Sequence, residues 1–269
     1  MTAISATFGG SIPEYYDRCL GPAWFDKFAA DLAARLAARP GGDVLEIACG
    51  TGLVTRHLRE KLAPGVRLVA SDLSKAMLEY AKAKRDASGI EWREADACKL
   101  PFGDAEFGAV VCAFGFMFVP DRKAAFAEAR RVLREGGTLL FNVWDRVEEN
   151  PHTLATSHLF EALFPGDLEM QFARITHGMY APALLRELLA GAHFKEVRIE
   201  PRRMEVICPD ARTLATGMIR GTPRVSLIEQ RGRKLEDVIE RATDALAKVS
   251  GAEPFCSYAQ AILVEARAI

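Results

Sequence analysis

Three acidic residues stand where short apolar runs end: Glu46 in "VLEIACGTG", Asp72 in "RLVASDLS" and Asp96 in "IEWREADACKL". Between the first two lies the loop Ala48-Cys49-Gly50-Thr51-Gly52, whose paired glycines permit unusual φ and let a ligand touch the backbone. A dinucleotide would want Gly-x-Gly-x-x-Gly with its pyrophosphate on the helix N-terminus. Here Thr55 holds the third position, and no Gly-Lys-Ser/Thr follows to make a P-loop. A charged Glu46 about 5 Å from a pyrophosphate would repel it by roughly 3 kcal/mol per pair of unit charges at an effective dielectric of about 20. The same carboxylate suits a ligand carrying ammonium and sulfonium charges, so the loop reads as a pocket for a cationic nucleoside. Asp72, about twenty residues past the loop, is placed to hold both ribose hydroxyls. Asp96 can accept from an exocyclic amine, with backbone groups of Ala97 and Cys98 beside the ring. Taken singly, each aspartate also fits a helix N-cap or a turn.

The elements that must position these groups are an alternation of strands and helices. Apolar runs at about 43–48, 66–71, 90–95, 107–113 and 137–143 read as strands buried on both faces. Helical patterns at about 52–63, 74–87 and 121–134 lie between most of them, which implies right-handed crossovers and a parallel sheet covered on both sides. Before them, residues 13–39 read as one helix, with Phe25, Phe28, Leu32 and Leu36 at helical spacing and a stop at Pro40-Gly41-Gly42. Beyond residue 150, helical segments near 152–163 and 181–190 precede a strand near 195–207. A polar helix near 228–249 and a final strand in "FCSYAQAILVEARA" complete the chain.

As a set, "VLEIACGTGLVTRHL", "LVASDLSKAMLEYAKAK", "EADACKLPFGDAEFGAVVCAFGFMFVPD" and "ARRVLREGGTLLF" resemble the class I S-adenosylmethionine-dependent methyltransferases, in the small-molecule branch typified by ubiquinone/menaquinone-biosynthesis enzymes. The resemblance runs from about residue 43 to 145. It implies a Rossmann-like α/β fold: a seven-stranded, mostly parallel sheet with an antiparallel last strand, helices on both faces and helical insertions forming a cap. It also implies S-adenosyl-L-methionine as cofactor and S-adenosyl-L-homocysteine as product. By the same resemblance Glu46 and the Ala48–Gly52 loop line the methionine end, Asp72 binds the ribose, and Leu73 and Met77 pack on the adenine. Asp96 and Ala97 read the adenine edge, Phe114 covers the cofactor, and Tyr16 folds over its carboxylate. Ala48 departs from the glycine that many members carry.

The expected arrangement is one domain over 1–269, with an N-terminal helical lid at 1–42, a cofactor core at 43–145, and insertions at 146–180 and 209–250 over the acceptor site. The expected reaction is in-line attack of a small organic acceptor on the sulfonium methyl, by alignment and exclusion of water. A general base is needed where the nucleophile carries a proton; His152, His158 and His177 in the first insertion are candidates, and the residues single out none. Tyr80-x-x-x-Lys84 imitates a dehydrogenase pair but follows the second strand, where that pair does not belong. A nicotinamide oxidoreductase and a cofactor-binding sensor remain as alternatives.

Net charge is −1 over 269 residues, with no basic stripe, so neither nucleic acid nor a membrane surface is an expected partner. Six scattered cysteines without zinc spacing point to a reduced compartment and no metal. With no secretory pattern and no apolar run near the ~20 residues of a membrane span, a cytoplasmic monomer or homodimer is expected.

Overall fold

A computed structural model describes residues 8–38, 41–84 and 88–269. Its centre is a seven-stranded sheet of order β3-β2-β1-β4-β5-β7-β6. β1 (Val44–Ile47), β2 (Leu68–Asp72), β3 (Ile90–Glu94), β4 (Phe107–Ala113) and β5 (Leu133–Trp144) run parallel, and β7 (Phe255–Ala268) runs antiparallel between β5 and β6 (Phe194–Cys208). Every residue of β1 and β2 is buried, as expected of strands covered on both faces. Helices α3 (Leu53–Lys61), α4 (Lys75–Lys82) and α5 (Arg122–Val132) supply the crossovers. The chain goes β1 to β2 to β3 on one side, then crosses to β4 on the other. The carboxyl ends of β1 and β4 therefore flank the switch point where open α/β sheets bind ligands.

Several boundaries differ from the sequence pattern, each for a local reason. The leading helix is not uniform. α1 (Ile12–Tyr15) passes into a π-helical stretch, Tyr16–Phe25, before α2 (Asp26–Ala37). Pro22 sits inside that stretch and has no N–H to give an α-helical ladder. Hydrogen bonding from i to i+5 widens the turn, so residues four and five apart share a face. Tyr16, Leu20, Trp24 and Phe25 thereby turn toward one cavity. The expected ends of two helices, at 39 and at 85–87, lie outside the described residues. β5 begins earlier than its apolar run, because Leu133 already pairs with Phe107 before the register shifts to Thr138 opposite Ala109. The expected polar helix at 228–249 is two helices, α10 (Arg224–Gln230) and α11 (Leu235–Ser250), parted by Gly232 at φ 67°.

Four of the helices between β5 and β7 contribute to the cavity at the carboxyl end of the sheet. α6 (Pro151–Leu163) and α7 (Ala173–Thr176) come from the first insertion, α9 (Ala211–Arg220) and α10 from the second. α8 (Pro182–Gly191) instead packs on α5 and β6. The first insertion is fastened at its root. Asn150 Nδ2 donates to Gln260 O, Gln260 N donates back to Asn150 Oδ1, and Gln260 Nε2 donates to Asp145 Oδ2. The π-helical stretch lies directly on α9 at Gly217, where an added Cβ would stand 2.6 Å from Cys19 Cβ and 2.7 Å from Leu20 Cδ2. Tyr80 and Lys84, the dehydrogenase look-alikes, both reach Asp17 and so hold the same stretch against α4.

Gly217→Ala should cost about 1–3 kcal/mol through overpacking. Gly191→Ala, at the end of α8 with open space around it, should stabilise by about 0.4–1 kcal/mol. Urea unfolding of the two variants in parallel checks both signs; equal midpoints would contradict the close approach at Gly217.

Candidate functional site

At the carboxyl end of β1 the chain turns through three left-handed residues, Ala48 at φ 55°, Gly50 at φ 54° and Gly52 at φ 79°. Phe114, at the end of β4, holds φ 54° as well. Left-handed backbone is unfavourable for a side-chain-bearing residue, and two such residues at neighbouring strand tips mark a site held in place by its surroundings. Ala48 finds room because its neighbour is a glycine: a Cβ on Gly115 would come within 2.5 Å of Ala48 Cβ.

Asp72 ties this turn to β2. Its Oδ2 accepts from Gly50 N and its Oδ1 from Ser74 N, both at 2.8 Å. Burial pushes the Asp72 carboxyl above its ordinary value, and the amides of Ser74, Gly50 and Leu73 oppose that shift. Each oxygen retains a further lone pair for a ligand hydroxyl.

Beside the turn opens a cavity of about 200 Å³. Ala48, Gly50, Asp72, Leu73, Met77, Asp96, Ala97 and Phe114 line it from the sheet side, and Tyr16 lines it from the π-helical stretch. Burial, then Asp17 and Asp72, raise the Tyr16 hydroxyl above its usual range, so it stays protonated. Asp96 is exposed, its Oδ1 accepting from Cys98 N at 2.8 Å. An open left-handed turn with nothing near a Cβ at Gly50, a carboxylate, and an apolar slot between Leu73 and Met77 fit a nucleoside that carries hydroxyls and positive charge.

Five residues expected at the site do not line the cavity, and one of them changes the electrostatic picture. The Glu46 side chain lies beneath the loop, 1 % exposed, and Thr55 Oγ1 donates to its Oε2 at 2.6 Å. Burial pushes Glu46 up to about 8, against the Thr55 hydrogen bond and with a smaller push from Asp72. At neutral pH it is mostly a neutral acid, not the exposed anion that the strand-end position suggested. Cys49 is buried between Ala70 and Leu78, while Thr51 and Gly52 face α4, where an added Cβ on Gly52 would meet Ala81 and Trp92 at 3.3 Å. Cys98 points its thiol at Asp121 O.

The far wall comes from the insertions. His177 Nδ1 lies 2.6 Å from Asp145 O. A carbonyl can only accept, so Nδ1 carries the proton and Nε2 keeps its lone pair. Burial pulls His177 down to about 4 and His152 to about 3, leaving both rings neutral. His152 stacks on Trp24 with ring centres 4.8 Å apart, and His177 stacks on Trp144 at 6.1 Å. Phe114 and Trp144 stack at 4.1 Å beside them. His158 is exposed on α6 and does not reach the cavity. Phe172, Thr176, Met218, Thr222 and Arg224 also face it, none of them distinguished in the sequence.

Residues 45–141 match the model of a methyltransferase domain family. The chain is 34 % identical to a demethylmenaquinone methyltransferase of Thermus thermophilus over 183 residues, 64 % of this chain and 81 % of that protein. The chain belongs to the class I S-adenosylmethionine-dependent methyltransferases. That membership replaces the nicotinamide alternative and makes S-adenosylmethionine the cofactor. The chain is also 39 % identical over 119 residues to a malonyl-[acyl-carrier protein] O-methyltransferase of Hahella chejuensis, 44 % of this chain and only 39 % of that relative's length. The fold is shared with Haemonchus contortus phosphoethanolamine N-methyltransferase 2, solved with phosphomonomethylethanolamine and S-adenosylhomocysteine. The TM-score is 0.59 at 13 % identity, covering 95 % of this chain and 56 % of that one. Among the described residues no helix is long and apolar enough to cross a membrane.

The raised Glu46 carboxyl has a stability consequence. The unfolded chain releases this proton near 4.5 and the folded chain near 8, so stability falls as pH climbs through that window and levels off above it. Relative to Glu46→Gln, the wild type should lose up to about 1.4 kcal/mol per pH unit between about 5 and 8. Urea unfolding of both proteins at several pH values measures the slope; parallel lines would place the carboxylate in contact with water.

Proposed function

We propose that the protein transfers the methyl group of S-adenosylmethionine to a small, ring-bearing organic acceptor by direct in-line displacement. The observation that carries this reading is the single cavity lined by Gly50 and Asp72 on one side and by His177 and an aromatic wall on the other. The cofactor supplies a methyl group activated on a sulfonium sulfur, and the chain has to hold two reactants in line and keep water out. Asp72 accepts from the ribose hydroxyls, Leu73 and Met77 enclose the base, and Asp96 with the backbone of Ala97 meets its edge. Tyr16 and the Ala48–Gly50 turn hold the amino-acid end, and Phe114 closes over it. Glu46 acts from below: a positive charge arriving above the loop draws it toward its ionised form.

On the acceptor side, Trp144, Phe118 and Phe172 favour a flat apolar body. One relative is named for a demethylmenaquinone and another as an O-methyltransferase, so the names leave the attacked atom open; the aromatic wall favours a flat ring. Where the attacking atom bears a proton, His177 Nε2 is the available lone pair, since Nδ1 is committed to Asp145 O; with burial holding the ring near 4 it is a weak base, suited to an acidic hydroxyl. His152, with its ring against Trp24, shapes the wall rather than exchanging protons.

Asp72→Ala should weaken S-adenosylhomocysteine binding at least tenfold, and NADH should bind more weakly than S-adenosylhomocysteine to the wild type. Calorimetric titration checks both, and the reverse order would remove the reading. A panel of phenols, hydroquinones and hydroxynaphthoates should include at least one methylated product; cofactor binding with no product from any of them would leave a sensor. For a productive hydroxyl acceptor, His177→Gln should lower kcat by about 10²–10⁴-fold with cofactor affinity unchanged. An unaltered kcat would remove His177 as the base.

A further inference from the structure

Arg224 opens α10, directly after Thr222-Pro223, and is 4 % exposed while lining the cavity. A guanidinium so buried ordinarily has a carboxylate beside it. Arg224 makes no ion pair among the described residues. Its Nη1 donates to Met218 O at a long 3.3 Å, and its Nε has no partner. The ring faces of Phe160 and Phe172, at 4.8 and 4.9 Å, cover the guanidinium without neutralising it. Burial pulls Arg224 down to about 10, so it is charged at neutral pH. The groups near it offer no counter-charge either: the neutral His177 senses its charge, and Thr222 Oγ1 donates to Met218 O. The acids of the cavity wall, Asp72 and Asp96, belong to the strand-end side, and Asp72 is occupied by two amides.

A planar fork of N–H donors, desolvated and short of acceptors, is built for a carboxylate, which it can grip through two parallel charge-assisted hydrogen bonds. We infer that Arg224 is the acceptor-binding residue and that the methyl acceptor is an aromatic or similarly flat molecule bearing a carboxylate, seated with its ring against the aromatic wall and its anion on the Arg224 guanidinium. This rests on the methyltransferase reading above and narrows the acceptor to organic anions. The walls supply the body's contacts, and the guanidinium supplies orientation, turning one edge of the acceptor toward His177. Neutral rings of the same shape would leave the buried charge unpaired and are rejected on that account.

The test uses the full chain saturated with S-adenosylhomocysteine and a matched pair of probes, 2-naphthoate and 2-naphthamide, titrated by calorimetry. The wild type should bind the carboxylate at least tenfold more tightly than the amide. Arg224→Gln should abolish that preference, and Arg224→Lys should retain part of it, while S-adenosylhomocysteine affinity stays within about twofold in both. Equal affinity of the wild type for the two probes, or binding of neither, overturns the inference. So does a preference that survives in Arg224→Gln, the result expected if the arginine only spaces Phe160 from Phe172. A tenfold loss of S-adenosylhomocysteine affinity in Arg224→Gln also overturns it, since the guanidinium would then serve the cofactor's carboxylate. Failure of the wild type to bind S-adenosylhomocysteine at all strikes the methyltransferase reading instead, and is seen before any probe is added.

Discussion

Charge held away from water without a partner is the constraint on which this molecule's site depends. Transfer of an isolated ion to a protein interior costs several kcal/mol even after relaxation. A fold tolerates that cost where a ligand relieves it. Here Asp72 in the cavity wall and Glu46 beneath the β1 loop bear one burden of burial, eased by the amides of Gly50 and Ser74 and by the Thr55 hydroxyl, and Arg224 on the opposite wall bears the other. On the strand side, Asp72 is pushed up by burial and Glu46 so far that it keeps its proton. On the insertion side, Arg224 keeps its charge with one weak carbonyl contact. In the proposed complex a cationic cofactor would relieve the first and an anionic acceptor the second. Their charges would then attract across the line of transfer.

Such a site works only if the walls do not collapse onto the unpaired groups, and the backbone prevents this. Asp72 is clamped by amides from two different segments, so the β1 turn and the β2 end move as one piece. Ala48 and Phe114 stand at left-handed φ where the two central strands part, a conformation that only dense packing sustains. The opposite wall is fixed differently. Asp145, Asn150 and Gln260 bind the root of the first insertion to β7, and Asp145 O holds His177 in one tautomer. The imidazole is thus aimed by the last residue before the insertion, next to the end of β5.

The central strands were legible in the sequence because parallel strands covered on both faces produce continuous apolar runs, as in β1, β2 and β4; β3, expected to be equally buried, is an edge strand whose residues are half-buried or exposed. The aspartates at the ends of β2 and β3 were legible for the same reason: polar residues closing apolar runs stand out. Glu46 was located but its environment was not. The period-two alternation of a strand places it on the face of Val44, which packs with Val54 and Leu58 of α3, and Thr55 waits on that helix. Leu45 and Ile47 face the opposite layer. Counting faces along β1 would have put Glu46 under the loop. The π-helical stretch was not legible, since its hydrogen bonding depends on how Pro22 and the docking against α9 are accommodated together. Arg224 carried no sequence signal: one arginine after a proline looks like the surface arginines around it, and only tertiary packing of α9, α10, α6 and α7 removes it from water.

That asymmetry explains why kinship identifies the cofactor here more readily than the acceptor. The family match ends at residue 141, just before the strand delivers the chain to the insertions. The strand-end residues proposed to hold the nucleoside precede that point. The groups that would meet the acceptor, His177 and Arg224 with Phe172 and Thr176, follow it. The same sheet serves relatives named for quite different acceptors, so the sheet cannot choose among them. On the Arg224 inference, the choice lies in which charge the insertions bury. A neutral lining would accept any flat ring; one unpaired guanidinium converts the same volume into a site that discriminates by charge, because a ligand without an anion leaves it desolvated and alone.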